Sequence, residues 1–356
     1  MLRLRQLHHL TNFKTSSMSQ YSAELKVAKD AVRRASALAA SIASTIATDT
    51  SGQVTKSDTS PVTVADYGAQ AIIIGTIKKA FPSDPVVGEE DADVLRKDEG
   101  LRTKVWDLVK GHRSSSADAL DDTNAMLDAI DWGKYEGGNT GRMWALDPID
   151  GTKGFLRGGQ YAVCLALIVD GHVKVGVIGC PNLSTIPTQV ATQEKKDLGV
   201  LASAIKDQGA FIEPLSGESD PSPIHFRHLH NTAEATFCES VEAGHSSHSD
   251  QAQIAQKLGI TKEGVRMDSQ AKYVAVSRGQ ADIYLRLPVS ATYQEKIWDH
   301  ASGNILVTEA GGTVTDKDGN ALNFGVGRTL KENKGVIVAE KSIFPKVLEA
   351  VKQVLG

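Results

Sequence analysis

An α+β half followed by an α/β half is the fold class this sequence predicts. Three features point there: apolar residues at helical spacing near the start, a run of strands around an Asp-Gly turn in the middle, and short strands alternating with helical segments towards the end.

Taken in order, Leu25, Ala28, Val32, Ala35, Ala39, Ile42 and Ile46 recur at helical spacing between Ser22 and about Thr48. Lys26, Lys29, Arg33 and Arg34 fall on the other side, so this is a packing helix. Ser60-Pro61 breaks the chain. Ala69, Ile72, Ile73, Ile77 and Ala80 then describe a second helix that ends near Phe81-Pro82 and carries Asp66 in its first turn. Val86 and Val87 suggest a short strand that delivers Glu89 and Glu90. Residues 91–140, polar and acidic with weak helical patches, read as a surface insertion with little chemistry. A strand over Met143–Leu146 should stop at Asp147 and turn, because Pro148 cannot donate a backbone hydrogen bond and Gly151 relaxes the chain. Tyr161–Val169 and His172–Ile178 flank Asp170-Gly171, a dipeptide suited to a type I′ hairpin, and with Val200–Ala204 and Ala210–Ile212 they make an antiparallel sheet. Glu213–Pro223 is the best linker, rich in Pro, Gly and Ser. Strands near 235–239 and 281–285 then alternate with helices near 247–258, 269–279, 295–310 and 341–355. The expected organisation is an extension over 1–21, an α+β domain over 22–218 and an α/β domain over 219–356.

Length and composition narrow the function. A chain of 356 residues is long enough for two domains with substantial cores. Its 39 basic and 43 acidic side chains are well mixed, with no cationic cluster interleaved with aromatics, so binding to a nucleic-acid polymer is disfavoured. No apolar run approaches the roughly 20 residues that cross a bilayer. Cys164, Cys180 and Cys238 are odd in number and lack metal-ligand spacing, so they read as small buried residues of a reducing compartment. The first 23 residues hold Arg3, Arg5, Lys14, several Ser and Thr, and no acid, which is the composition of a mitochondrial presequence. An unstructured tail, or a start extended upstream of Met18, is the plainer alternative. A cytoplasmic monomer is the expectation, with import added if the extension is a presequence.

The chemistry centres on Asp147-Pro-Ile-Asp150-Gly-Thr152, where two carboxylates stand three residues apart at the end of an apolar approach. Such carboxylates repel unless a cation sits between them, and oxygen-only ligation favours Mg²⁺, Mn²⁺ or Ca²⁺ over zinc. A polar turn without metal is the alternative, since Asp, Pro and Gly often merely build turns.

That motif is similar to the central motif of the magnesium-dependent, lithium-sensitive phosphomonoesterases of the inositol monophosphatase superfamily. Val87-Gly-Glu-Glu90 resembles its upstream acidic motif, and Ile297-Trp-Asp-His-Ala-Ser-Gly303 with Glu309-Ala-Gly-Gly312 its downstream one. Within the superfamily, Ser60-Pro-Val-Thr-Val-Ala-Asp-Tyr67, Gly151-Thr-Lys-Gly-Phe-Leu-Arg-Gly158, Gly244-His-Ser-Ser-His248 and Asp268-Ser-Gln-Ala-Lys-Tyr273 resemble the 3'(2'),5'-bisphosphate nucleotidases. The resemblance runs from about residue 22 to the C-terminus.

The resemblance implies a layered αβαβα sugar-phosphatase fold, like that of inositol monophosphatase and fructose-1,6-bisphosphatase. It implies two or three Mg²⁺ ions held by Glu89, Asp147, the Ile149 carbonyl, Asp150 and Asp299, with Asp66 and Thr152 activating the attacking water. It further implies that Thr152, His245, Ser269, Lys272, Arg286 and Asp299 contact a small nucleotide, either adenosine 3',5'-bisphosphate (PAP) or its sulfated relative PAPS, in sulfur assimilation and salt tolerance. Each residue also has a plainer reading: Asp66 as a helix-dipole partner, Thr152 as a cap, Asp299 as a surface acid on a helix, Ser269 as an N-cap, Lys272 as a solvated cation, Arg286 as a strand-end charge and His245 as a loop residue. Family practice has Ala where this chain has Ser302. An inositol polyphosphate 1-phosphatase would use the same metal motif, and the nucleotide strings are what argue against it.

Overall fold

The computed structural model describes residues 20–48, 61–186, 197–241, 247–288, 290 and 292–356. The N-terminal extension up to residue 19 and His245 lie outside the described residues.

Two long helices open the fold, α1 (Ser22–Thr48) and α2 (Pro61–Ala80). Pro61 suits a first helical position, since its missing N–H has no partner there anyway. This start places Asp66 in the second turn of α2 and not in the first. Strand β1 (Val86–Gly88) follows, then α3 (Asp93–Lys97), α4 (Glu99–His112) and α5 (Thr123–Asp131). Those three helices correct the reading of 91–140 as a surface insertion. Leu95, Leu101, Val105, Val109, Met126 and Ile130 are all buried, in one core with Ile72, Ile73 and Ile74 of α2. Three consecutive isoleucines point around most of a helix, so α2 is covered on two sides: a sheet takes one and α4 with α5 the other. Aspartates cap both covering helices, Asp98 accepting from the Leu101 N–H at 2.9 Å and Asp122 from the Ala125 N–H at 2.8 Å.

The first sheet comprises β1, β2 (Arg142–Asp150), β3 (Ala162–Val169), β4 (His172–Ser184), β5 (Leu198–Ile205), β6 (Ala210–Pro214) and β7 (Ser222–Ile224), in that spatial order, with the short helix α6 (Thr152–Leu156) between β2 and β3. β1 joins β2 in parallel and the rest is an antiparallel meander. Asp170 and Gly171 both take positive φ, 50° and 73°, as the type I′ hairpin requires. The second sheet begins after Ile224. It contains β8 (Phe237–Glu239), β9 (Val265–Arg266), β10 (Ile283–Arg286), β11 (Gly312–Thr315) and β12 (Val336–Glu340), ordered β11-β12-β10-β8-β9. Its helices are α7 (His248–Leu258), α8 (Ala271–Ser277), α9 (Ala301–Glu309) and α10 (Phe344–Leu355).

Three apolar clusters fill the spaces between five layers. One lies between α1, α2 and the first sheet, a second joins that sheet to α8, α9 and the second sheet, and a third lies under α7 and α10. This is the αβαβα layering. The middle layer is held close by Gly176 of β4, where a Cβ would stand 2.4 Å from Ile305 and 2.9 Å from the Ser302 carbonyl oxygen on α9. The three cysteines are free and buried, and no helix among the described residues is long and apolar enough to cross a membrane.

Candidate active site

β2 supplies two carboxylates, but not on a tight turn as expected. The strand runs on to Asp150: Asp147 faces Cys164 of β3 while Asp150 faces Ala162, so β2 advances three residues where β3 advances two. Pro148, lacking an N–H for the ladder, sits in that irregularity, and a bulge re-aims the side chains on either side of it. Ile149 turns its side chain into a small apolar cluster with Ala39, Ala65, Phe155 and Tyr161. Glu89 arrives from the neighbouring strand, since the parallel pairing of Gly88 with Leu146 sets Glu89 beside Asp147. Asp299 comes from the other half of the chain. It lies in the turn before α9, not within a helix, because residues 295–300 are engaged elsewhere: the Ile297 N–H donates to the Arg328 carbonyl at 3.1 Å.

These four acids line one cleft of about 280 Å³. Ile149, Thr152, Ser269, Lys272 and Arg286 line it too, so every described residue of the expected ligand and substrate sets meets there. Asp66 is 8% exposed and stands behind that wall, close enough to Glu89 and Glu90 to feel their charges.

Electrostatics make the cluster unfavourable as it stands. Burial first, then Glu89, Asp150, Asp299 and Asp66, hold the Asp147 carboxyl well above the usual range. Burial and the charges of Glu90 and Glu89 do the same to Asp66. Asp299 is pushed up to about 7 by burial and Asp150. Glu89 is open to solvent by surface area, yet it sits in a concave wall of acids; that partial withdrawal from water, with Glu90 and Asp150, also takes it to about 7. Asp147 Oδ1 is buried and receives no hydrogen bond. An orphaned carboxylate oxygen among like charges, with only oxygen donors around it, fits a hard divalent cation such as Mg²⁺. Glu89, Asp147, Asp150 and Asp299 are the residues able to hold it.

The opposite wall is cationic. Lys272, 3% exposed, lies near Asp150 and over the Tyr284 ring at 5.4 Å, and burial lowers its pKa. Arg286 is charged: burial opposes the cation, but Tyr284, Glu295 and Asp299 outweigh it. Its Nε donates to Glu295 at 2.8 Å. Glu295 also meets His300 Nε2 at 3.1 Å, and His300 Nδ1 lies 2.7 Å from the Tyr273 hydroxyl. Burial alone would raise the pKa of Glu295, but His300 and Arg286 bring it down to about 2. Glu295, Asp299 and His300 are clustered closely enough to suggest a further metal position, yet Glu295 and His300 are committed to this chain of contacts.

Ser269 takes φ 66° one residue before the N-cap position of α8, which Gln270 occupies without a side-chain capping bond; the Ser269 hydroxyl itself accepts from the Ala271 N–H at 3.1 Å, so it does cap the helix as expected. A Cβ on Gly151 would meet Ser269 Cβ at 2.8 Å, so the glycine lets the two halves of the chain touch here. Arg157 donates across the same junction to Asp268 at 2.6 Å.

Sequence reasoning passed over three residues. Gln270, 2% exposed, donates its backbone N–H to Asp150 and its Nε2 to the Trp298 carbonyl at 2.8 Å, while its Oε1 accepts from the Ser302 hydroxyl at 2.7 Å and the Gly303 N–H at 3.2 Å. It therefore ties Asp150 to the turn that carries Asp299. The Ser302 hydroxyl is one of the two donors to that hub. Tyr293 is 52% exposed at the cleft, and Glu295 braces Arg286. Gln270 stood inside a quoted nucleotide string and Tyr293 just before the downstream acidic motif, but neither titrates near neutrality, so a search for charge missed them.

A family model for the inositol monophosphatase family matches residues 20–355. The chain belongs to the inositol monophosphatase family. Among its relatives there, a protein of Emericella nidulans is 51% identical over 351 residues, covering 94% of this chain and 99% of the relative. One of Schizosaccharomyces pombe is 50% identical, covering 94% and 96%, and one of Oryza sativa 44% identical, covering 94% and 95%. All three are named 3'(2'),5'-bisphosphate nucleotidase. The inositol monophosphatase of Zymomonas mobilis shares the fold with a TM-score of 0.59 at 19% identity, covering 94% of this chain and 99% of that one. The Thermotoga maritima enzyme does so with 0.59 at 20%, covering 93% and 98%.

Proposed function

We propose that this chain is a metal-dependent 3'(2'),5'-bisphosphate nucleotidase, a phosphoric monoester hydrolase that converts PAP to AMP and phosphate, and PAPS to its 5'-phosphosulfate. The observation that carries the reading is one cleft with four carboxylates on one wall and Lys272 and Arg286 on the other. A nucleotide with two phosphates asks for such a site: one phosphate reacts at the acidic wall and the other needs fixed cations.

In this reading Glu89, Asp147, Asp150, Asp299 and the Ile149 carbonyl hold two or three Mg²⁺ ions. Bound there, the ions would supply positive charge against the phosphoryl oxygens and a nucleophile at neutral pH. The chain's own groups do the rest. Asp66 and Thr152 orient the attacking water, and the Asp66 carboxylate takes up its proton. Lys272 and Arg286 fix the second phosphate, with Arg286 held in place by Glu295, and Ser269 and His245 complete the nucleotide contacts. Tyr293 offers an exposed ring at the cleft mouth on which a base can stack.

The deciding assay compares kcat/KM for phosphate release from PAP, PAPS and inositol 1,4-bisphosphate while Mg²⁺ is titrated. PAP should lead, activity should require Mg²⁺, and Li⁺ should inhibit. Preference for the inositol ester would make the chain an inositol polyphosphate 1-phosphatase instead. We place the activity in sulfur assimilation and salt tolerance, in the cytoplasm. A fluorescent fusion with and without residues 1–21 tests mitochondrial import, which predicts that only the longer form reaches mitochondria.

A further inference from the structure

Pairing of β1 with β2 ends at Gly88, so Glu89 stands one residue past the ladder with its side chain exposed. Mg²⁺ tolerates little error in its oxygen contacts, so a ligand in that position needs its backbone held by other means. Two side chains outside the cleft lining supply them. Gln70, buried on α2, donates its Nε2 to the Glu90 carbonyl at 2.6 Å and accepts the Glu90 N–H on its Oε1 at 3.0 Å. It thus satisfies both backbone groups of Glu90, as a neighbouring strand would. The same Nε2 donates to the Ile130 carbonyl at 3.1 Å, which ties this grip to the end of α5. Gln70 follows Asp66 by four residues on one helix, hence on the same face.

Arg328 holds the other side of Glu89. Its Nη2 donates to the Gly88 carbonyl at 2.5 Å, and its Nη1 to the Tyr135 carbonyl at 2.9 Å and the Gly133 carbonyl at 3.1 Å. Residues 133–135 flank β1, since the Gly88 N–H donates to the Gly133 carbonyl at 2.8 Å and the Tyr135 N–H to the Val86 carbonyl at 3.2 Å. The guanidinium therefore fastens the end of β1 to the turn beside it. It also lies 5.0 Å from the centre of the Trp298 ring, next to Asp299 in the chain. The backbone around Arg328 holds that second turn as well: the Arg328 carbonyl accepts from the Ile297 N–H at 3.1 Å, and the Leu330 N–H donates to the Glu295 carbonyl at 2.8 Å. One residue thus joins the stretch that delivers Glu89 to the stretch that delivers Asp299.

We infer that Gln70 and Arg328 are positioning residues for the metal site: Gln70 sets Glu89 against Asp66, and Arg328 sets Glu89 against Asp299, the acid drawn from the other half of the chain. This role rests on the reading of Glu89 and Asp299 as cation ligands. Neither Gln70 nor Arg328 lines the cleft, so each acts through Glu89. The sign of the effect separates placement from charge. A guanidinium bonded to the peptide beside Glu89 repels a divalent cation, so by its field alone its removal would tighten Mg²⁺ binding. By placement its removal weakens binding, and loss of a group that orients a metal ligand from behind typically costs roughly 10–100-fold in affinity.

The test titrates Mg²⁺ calorimetrically into the full chain without substrate, and records the Tm in chelator. It compares the native protein with Arg328→Met, Gln70→Leu, Arg34→Met and Glu89→Gln, and with the first two changes each combined with Glu89→Gln. Arg328→Met and Gln70→Leu should each weaken Mg²⁺ binding by roughly 10–100-fold. Arg34, bonded to Asp118 at 2.9 Å and to Thr76 at 2.6 Å away from the cleft, is the control: its loss should lower the Tm and leave Mg²⁺ affinity as it was. Without Glu89 there is nothing left to place, so in the Glu89→Gln background either change should cost at most about twofold. Unchanged or tighter Mg²⁺ binding in either variant overturns the inference, as does a full loss that repeats in the Glu89→Gln background. A native chain that binds no Mg²⁺, or a Glu89→Gln variant that binds it as the native chain does, overturns the metal reading itself and this role with it. Should either single variant fail to fold, Arg328→Lys decides. Its one ammonium cannot span three carbonyls, so the weakening should persist, and native Mg²⁺ affinity there overturns the positioning role.

Discussion

Withdrawing divalent cations should make the stability of this protein fall as pH rises, and the cleft supplies the magnitude. Asp299 and Glu89 are held at about 7 in the folded chain. Unfolded, they return to roughly 4. A carboxyl raised on folding binds more protons in the folded state, so its contribution is fully present below about pH 4 and is lost as pH climbs through about 7. For Asp299 alone the ceiling is about 4 kcal/mol, from roughly three pKa units at ~1.36 kcal/mol each. Much of that is shared with Glu89, whose own part is screened by solvent, which leaves about 2 kcal/mol for the pair. At roughly 2–4 °C per kcal/mol, the Tm in chelator should drop by about 4–8 °C between pH 5 and pH 8. Saturating Mg²⁺ binds the ionised carboxylates and should remove the drop, so its stabilising effect is large at pH 8 and small at pH 5. Differential scanning calorimetry at constant ionic strength measures both, and the double variant Glu89→Gln, Asp299→Asn should flatten the profile in chelator. A Tm in chelator that is flat or rises from pH 5 to pH 8, or a Mg²⁺ shift of equal size at both, would refute the convergence of charge deduced here.

Three more outcomes can be checked directly. Asp150→Asn keeps the shape but loses a metal ligand, so kcat/KM for PAP should fall at least about 100-fold while the Tm moves by only a few degrees; parallel loss in assay and melt would contradict this. Gln270→Leu strands the Ser302 hydroxyl, the Gly303 N–H and the Trp298 carbonyl, at about 1–3 kcal/mol for each buried unpaired group, and should weaken Mg²⁺ binding measured by calorimetry as well as stability. Tyr293→Ala should raise KM for PAP by roughly tenfold with kcat little changed, given about 1–3 kcal/mol for stacking on a base, while inhibition by inorganic phosphate stays as it was; an unchanged KM would remove Tyr293 from the nucleoside site.

What could be read along the chain and what could not divides by the range of the interactions. Period and turn chemistry are local, so α1, the hairpin at Asp170-Gly171 and the alternation of the second half were legible, as were the acids themselves through their motifs. Residues 91–140 were misjudged because their apolar positions are sparse. The clue lay elsewhere, in Ile72-Ile73-Ile74, a run that one sheet alone cannot cover. Pro148 was correctly seen to interrupt the β ladder, but β3 continues opposite it, and pairing on both sides carries β2 through as a bulge. Asp299 was assigned to a helix because 295–310 has helical spacing, whereas Glu295 and Ile297 are taken by tertiary contacts with Arg286, His300 and Arg328.

By itself the sequence determined which residue types were present to bind a cation and a phosphate, and the layered class of fold in which they work. Only the tertiary structure decided that Glu89, Asp147, Asp150 and Asp299, drawn from three separated stretches, share one cleft, and that Gln270 ties two of them together. The reason is physical: propensity and periodicity act over a few neighbouring residues, whereas desolvation and charge repulsion depend on which atoms end up within a few ångströms of one another, and that distance is set by strand register and by close approaches such as those at Gly151 and Gly176.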